Sequence, residues 1–78
     1  MKRAIDSLRE ELEAIDWYNQ RADATQDAEL KKILLHNAKE EKEHAAMLLE
    51  WIRKNDSQFE EMLKKYLFQE HAVTTEEQ

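Results

Sequence analysis

Glu11, Glu41 and His44 are the residues of this chain whose types and spacing could do chemistry. In "KEEKEHAAMLLEW" (residues 39–51), Glu41 and His44 lie one helical turn apart, on the side of a helix that otherwise holds Leu34, Leu48 and Trp51. An ionised carboxylate in such an apolar seam costs several kcal/mol unless it is paired or metal-bound. A carboxylate oxygen and an imidazole nitrogen one turn apart can share one cation, and this donor set suits ferrous iron. Each Fe(II) gives one electron, so two irons held together can deliver two to dioxygen, which one isolated iron cannot do. A lone Glu-x-x-His is common in charged helices and usually faces solvent. What strengthens it here is Glu11, at i+3 from Leu8 and i−4 from Ile15 within the apolar stripe of an earlier helical segment.

Other groups surround these three. Tyr18 lies two turns beyond Glu11 on the same face, placed either to serve the site or simply to pack. Glu10, Glu13, Asp16 and Glu40 make an acidic rim that would attract cations, or else an ordinary solvated face. His36, Glu40 and His44 stand at i, i+4, i+8, a spacing that holds zinc on a helix surface, although His44 cannot face both ways. Met47 and Met62 read as packing, since iron needs no thioether, and His71 belongs to the tail.

The elements that must position these residues are helical. The 78 residues include no Gly, Pro or Cys, which removes the usual turn formers, disulfides and thiolate zinc sites. Eighteen acidic against twelve basic residues, for a net charge of −6, argue against nucleic acid, whose binding rests on neutralising phosphates with basic side chains. No apolar run approaches the roughly 20 residues that span a bilayer, and "MKRAIDSLRE" lacks the apolar stretch of a signal peptide, so a cytoplasmic location is expected.

Ile5, Leu8, Leu12, Ile15, Tyr18 and Ala22 keep one face apolar and predict a helix over most of residues 2 to 24. "ADATQDAE" interrupts it near Gln26, with Asp23, Thr25 and Asp27 as candidate caps. A second helix, carrying Leu30, Ile33, Leu34, Asn37, Glu41, His44, Leu48, Trp51 and Ile52, should end near Lys54. Ser57 and Glu60 have the spacing of a capping box for a third helix, with Phe59, Met62, Leu63, Tyr66 and Leu67 on one face. Residues 1–70 are expected to form a single helical domain and 71–78 a flexible tail.

A short turn makes the first two helices an antiparallel hairpin, in which residues whose numbers add up to about 52 face each other. Glu11 and Glu41 are such a pair. Two helices cannot enclose a core, so a second copy is expected to complete a four-helix bundle and supply the other half of a di-iron carboxylate ligand set. Two rival readings remain: a non-catalytic metal binder using the same ligands, and a structural oligomer whose Glu and His residues fix the register.

"EELEAIDWYNQRADA" (10–24), "ILLHNAKEEKEHAAMLLEWIRK" (33–54) and "YLF" (66–68) together resemble encapsulated ferritin, the small ferroxidase cargo of encapsulin nanocompartments. The resemblance runs from Leu8 to Phe68. It implies an all-α half-ferritin, a helical hairpin plus a short third helix, with a di-iron ferroxidase centre formed where two chains meet. Glu11, Glu41 and His44 would then be iron ligands, with Glu41 bridging, Trp17 and Tyr18 close by, and Glu10 and Glu13 at the iron entrance. It further implies two irons per dimer interface, with calcium or zinc as substitutes in crystals, and dimers assembled into a decameric ring inside an encapsulin shell. Family members that stand alone end in a docking peptide for the shell, and "QEHAVTTEEQ" contains nothing similar. A trimmed chain, or a domain fused to the shell protein, is expected on that ground.

Overall fold

The computed structural model describes residues 1–74, which form three α-helices: α1 (Lys2–Ala24), α2 (Ala28–Asn55) and α3 (Ser57–Tyr66). There is no strand among the described residues. The expected tail at 71–78 includes residues 75–78, which lie outside them.

The α1–α2 turn is built from side chains. Thr25 leaves the helical conformation (φ −87°, ψ 143°), and its N–H still donates to the Arg21 carbonyl at 3.1 Å. Its Oγ1 accepts from the Asp27 N–H at 3.2 Å, and Asp27 Oδ1 accepts in turn from the Leu30 N–H at 2.8 Å, capping α2. A hydroxyl turn followed directly by a carboxylate cap satisfies two exposed backbone donors of the reversal, and does so without glycine.

The second junction differs from the expected capping box. Asp56, not Ser57, caps α3: in extended backbone (φ −142°, ψ 109°) its Oδ1 accepts from the Phe59 N–H at 2.9 Å. A carboxylate one residue earlier takes the capping position, so Ser57 becomes the first helical residue. Glu60 then lies one position too far along to reach back, and it bonds Lys64 at 2.8 Å instead.

Packing of α1 on α2 is carried by small residues. Ala38, Ala45 and Ile52, seven residues apart on α2, are buried, as is Ala22 on α1. With no branched side chain at most of these positions the two backbones approach closely along the seam. The remaining apolar stripe is only partly covered: Leu8, Ile15, Leu34 and Leu48 are half-buried, while Ile5, Leu12, Ile33 and Trp51 are exposed. A hairpin alone has two flanks open to water, which is why the stripe read from the sequence is not enclosed within one chain. α3 packs against α2 and makes no comparable contact with α1.

Candidate metal centre

The buried line of Ala38, Ala45 and Ile52 fixes the rotation of α2. At about 100° per residue, Glu41 lies roughly 40° to one side of that line and His44 roughly 100° to the same side. Leu48, Asn37, Ile33 and Trp51 lie on this flank too. On α1, Glu11 sits within roughly 20° of the direction set by buried Ala22. The middle of the hairpin thus brings one carboxylate from each helix together, with an imidazole at their open edge.

The distances bear this out. His44 Nδ1 lies 3.5 Å from Glu11 Oε2 and 3.4 Å from Glu41 Oε2. One ligand atom from each residue falls within 4.8 Å of the other two, and this is the single such trio of His, Asp or Glu among the described residues. The side chains are 26%, 22% and 45% exposed for Glu11, Glu41 and His44, so the carboxylates are mostly withdrawn from water while the imidazole opens outward. Neither Glu11 nor Glu41 has a Lys or Arg partner among the described residues; Lys31, Lys32, Lys39 and Lys42 are all exposed. Two carboxylates and an imidazole nitrogen without a counter-cation are a donor set suited to a hard or borderline divalent metal, Fe(II) among them.

Tyr18 is half-buried on the same stripe, about 10 Å along the axis from Glu11 by helical rise. Trp17 is exposed. Glu10 and Glu13 are exposed on α1 and are not part of the trio. Asp16 accepts from the Gln20 side chain at 2.8 Å. His36 and Glu40 pair at 2.7 Å on the outer surface, and with His44 turned to Glu11 the i, i+4, i+8 zinc arrangement does not form. Sequence reasoning missed a cleft of about 620 Å³ on the trio's own flank, lined by Met1, Lys2, Arg3, Ser7, Leu48 and Trp51. Its signal was present in Trp51 and Leu48, apolar residues on the side of α2 that α1 does not cover.

Residues 1–70 match the EncFtn-like family model. The chain belongs to this family. It is 61% identical over 72 residues to the encapsulated ferritin-like protein of Rhodospirillum rubrum, and 53% identical over 72 residues to a ferritin-like protein of Thermotoga maritima. Each alignment covers 92% of this chain but only 51% and 63% of those relatives, so the chain spans half to under two thirds of their length. The crystal structure of protein ne0167 from Nitrosomonas europaea superposes with a TM-score of 0.92 at 63% identity, covering 96% of this chain and 82% of that one. The EncFtn-like fold is accordingly the half-ferritin expected from the sequence, a hairpin followed by one short helix.

Proposed function

We propose that this chain is a ferroxidase that oxidises Fe(II) with dioxygen at a di-iron centre completed by two copies. The observation carrying this reading is the Glu11, Glu41, His44 trio, a half-set of ligands on the uncovered flank of the hairpin. Ferritin-like and encapsulated ferritin-like relatives support iron as the metal and an encapsulin compartment as the destination of Fe(III). Fe(II) is the substrate, and two of them side by side supply two electrons to one dioxygen.

The chain's own residues act by placement. Glu11 and Glu41 bring negative charge from two helices to one point and would offset the charge of incoming cations, with Glu41 the carboxylate that would be shared between them. His44 presents Nδ1 to the same point and leaves the outer edge open for a second hairpin. The opposing Ile33, Leu48 and Trp51 surfaces would exclude water once covered, forming a four-helix bundle from two chains. Glu10 and Glu13, on the rim, would raise the local concentration of Fe(II). Tyr18, half-buried on the same stripe of α1, would hydrogen-bond toward the site or donate an electron. Residues 1–70 act as one ferritin-like domain, and further association into a decameric ring rests on the family alone.

Aerobic Fe(II) oxidation followed by ferric absorbance tests the reading. The parent should oxidise iron far faster than buffer, and Glu41→Ala at equal oligomer content should fall to the buffer rate. Metal binding without oxygen consumption would assign the trio to a non-catalytic binder, and no metal binding at all would leave a structural oligomer.

A further inference from the structure

Between α2 and α3 runs a chain of alternating charges. Arg53 grips Glu50 with two nitrogens, Nε at 2.5 Å and Nη2 at 2.9 Å, and its third nitrogen, Nη1, reaches Glu60 on α3 at 3.7 Å. Glu60 in turn holds Lys64 at 2.8 Å. Arg53–Glu60 is the one ion pair that joins α3 to the hairpin among the described residues. Apolar packing does little to replace it. α3 has no buried residue, Leu63 is only half-buried, and a groove of about 300 Å³ lined by Ala46, Leu49, Leu63 and Leu67 stays open between the two helices. Isolated exposed ion pairs contribute little, but a bidentate Arg–carboxylate grip within a network is the arrangement that does contribute. The grip on Glu50 preorganises the guanidinium, so that Arg53 loses less rotamer freedom in reaching Glu60.

We propose that Arg53 is a positioning residue that clamps α3 to α2, so that the pose of α3 and of its exposed Phe59, Met62 and Tyr66 is set by ionic strength. Those three side chains share the outward surface of α3, so whatever that surface contacts meets a geometry that salt can loosen. A chain with no Cys allows a direct test: paired spin labels at Lys39→Cys and Glu61→Cys, in protein diluted with unlabelled chain and without added iron, read the intrachain distance between α2 and α3. In about 0.1 M sodium chloride the parent should give a narrow distribution, and in about 1 M, where the screening length falls to about 3 Å, its width should about double. Arg53→Gln and Glu60→Gln should be broad at both salts, their double variant no broader than either alone, and Arg53→Lys intermediate. Far-UV circular dichroism checks that the variants keep their helices; if one loses them, the salt response of the parent decides. A parent distribution still narrow in high salt, or a helical Arg53→Gln as narrow as the parent, would overturn the clamp.

Discussion

Glu11 and Glu41 are carboxylates held together at the inner edge of a helix pair with His44 as their one close basic partner among the described residues, an arrangement that disfavours the metal-free chain. Removing one should therefore help the metal-free protein and harm the metal-bound one. Glu41→Leu is expected to melt no lower than the parent in chelator. With Fe(II) kept under nitrogen at about 100 times its dissociation constant, the parent should gain about 2.7 kcal/mol, a rise of roughly 10 to 20 °C in a domain of this size, and the variant should gain almost none. Melting curves with and without chelator check this, and an equal gain in both proteins would remove Glu41 from the ligand set. The pairing of Glu11 with Glu41 was legible from numbering alone, because an antiparallel hairpin fixes which levels meet. The approach of His44 Nδ1 to both carboxylates was not, since it depends on how far α2 is rotated about its axis.

At the scale of the elements, the two aspartate caps hold the junctions. Asp27→Ala and Asp56→Ala should each cost about 1 kcal/mol, or roughly 4 to 8 °C in melting temperature, while Ser57→Ala should cost much less. A larger loss from Ser57→Ala than from Asp56→Ala would restore the capping box that the sequence suggested. Acid should act on α3 first. The side-chain bond from Arg53 lowers the pKa of Glu50, with Lys54 adding to it, and the bond from Lys64 lowers that of Glu60, with Arg53 adding and Glu50 opposing. Both folded-state values lie below the unfolded ones, so their contribution is present above the ordinary carboxylate range and disappears as pH falls through the lowered values. The spin-label distance between α2 and α3 should broaden in that acid window, before the hairpin's helical signal is lost. These junctions were only half readable from the sequence: Asp, Ser and Thr announced that caps exist, but which neighbour wins depends on backbone angles that the folded turn imposes.

The whole molecule has too little interior for its apolar content. Ile33 and Trp51 are about half exposed on the flank that carries the trio, at 51% and 47%. If a second hairpin covers that flank, Ile33→Ser should weaken self-association, seen as a shift to smaller species in sedimentation, and should lower iron oxidation per chain without touching a ligand. In the parent, activity per chain should fall on dilution below the dissociation midpoint if, as proposed, one copy holds half the ligands. Activity per chain that stays constant far below that midpoint would mean a complete site in one copy. No helix among the described residues is long and apolar enough to cross a membrane.

What the sequence determined by itself were the properties that follow from composition, helical period and the length of the hairpin turn. These were the three helices, the absence of glycine-based turns, the level at which Glu11 meets Glu41, and a net charge of −6. Helical period and hairpin pairing are nearly rigid consequences of backbone geometry, so residue types and spacing sufficed. Only the tertiary structure decided the rotation that buries Ala38, Ala45 and Ile52 and brings His44 to Glu11 at the open edge, the cap at Asp56, and the reach of Arg53 to Glu60. Each of these is chosen by contacts between elements, where a rotation of a few tens of degrees leaves every local bond intact and yet exchanges which side chains meet.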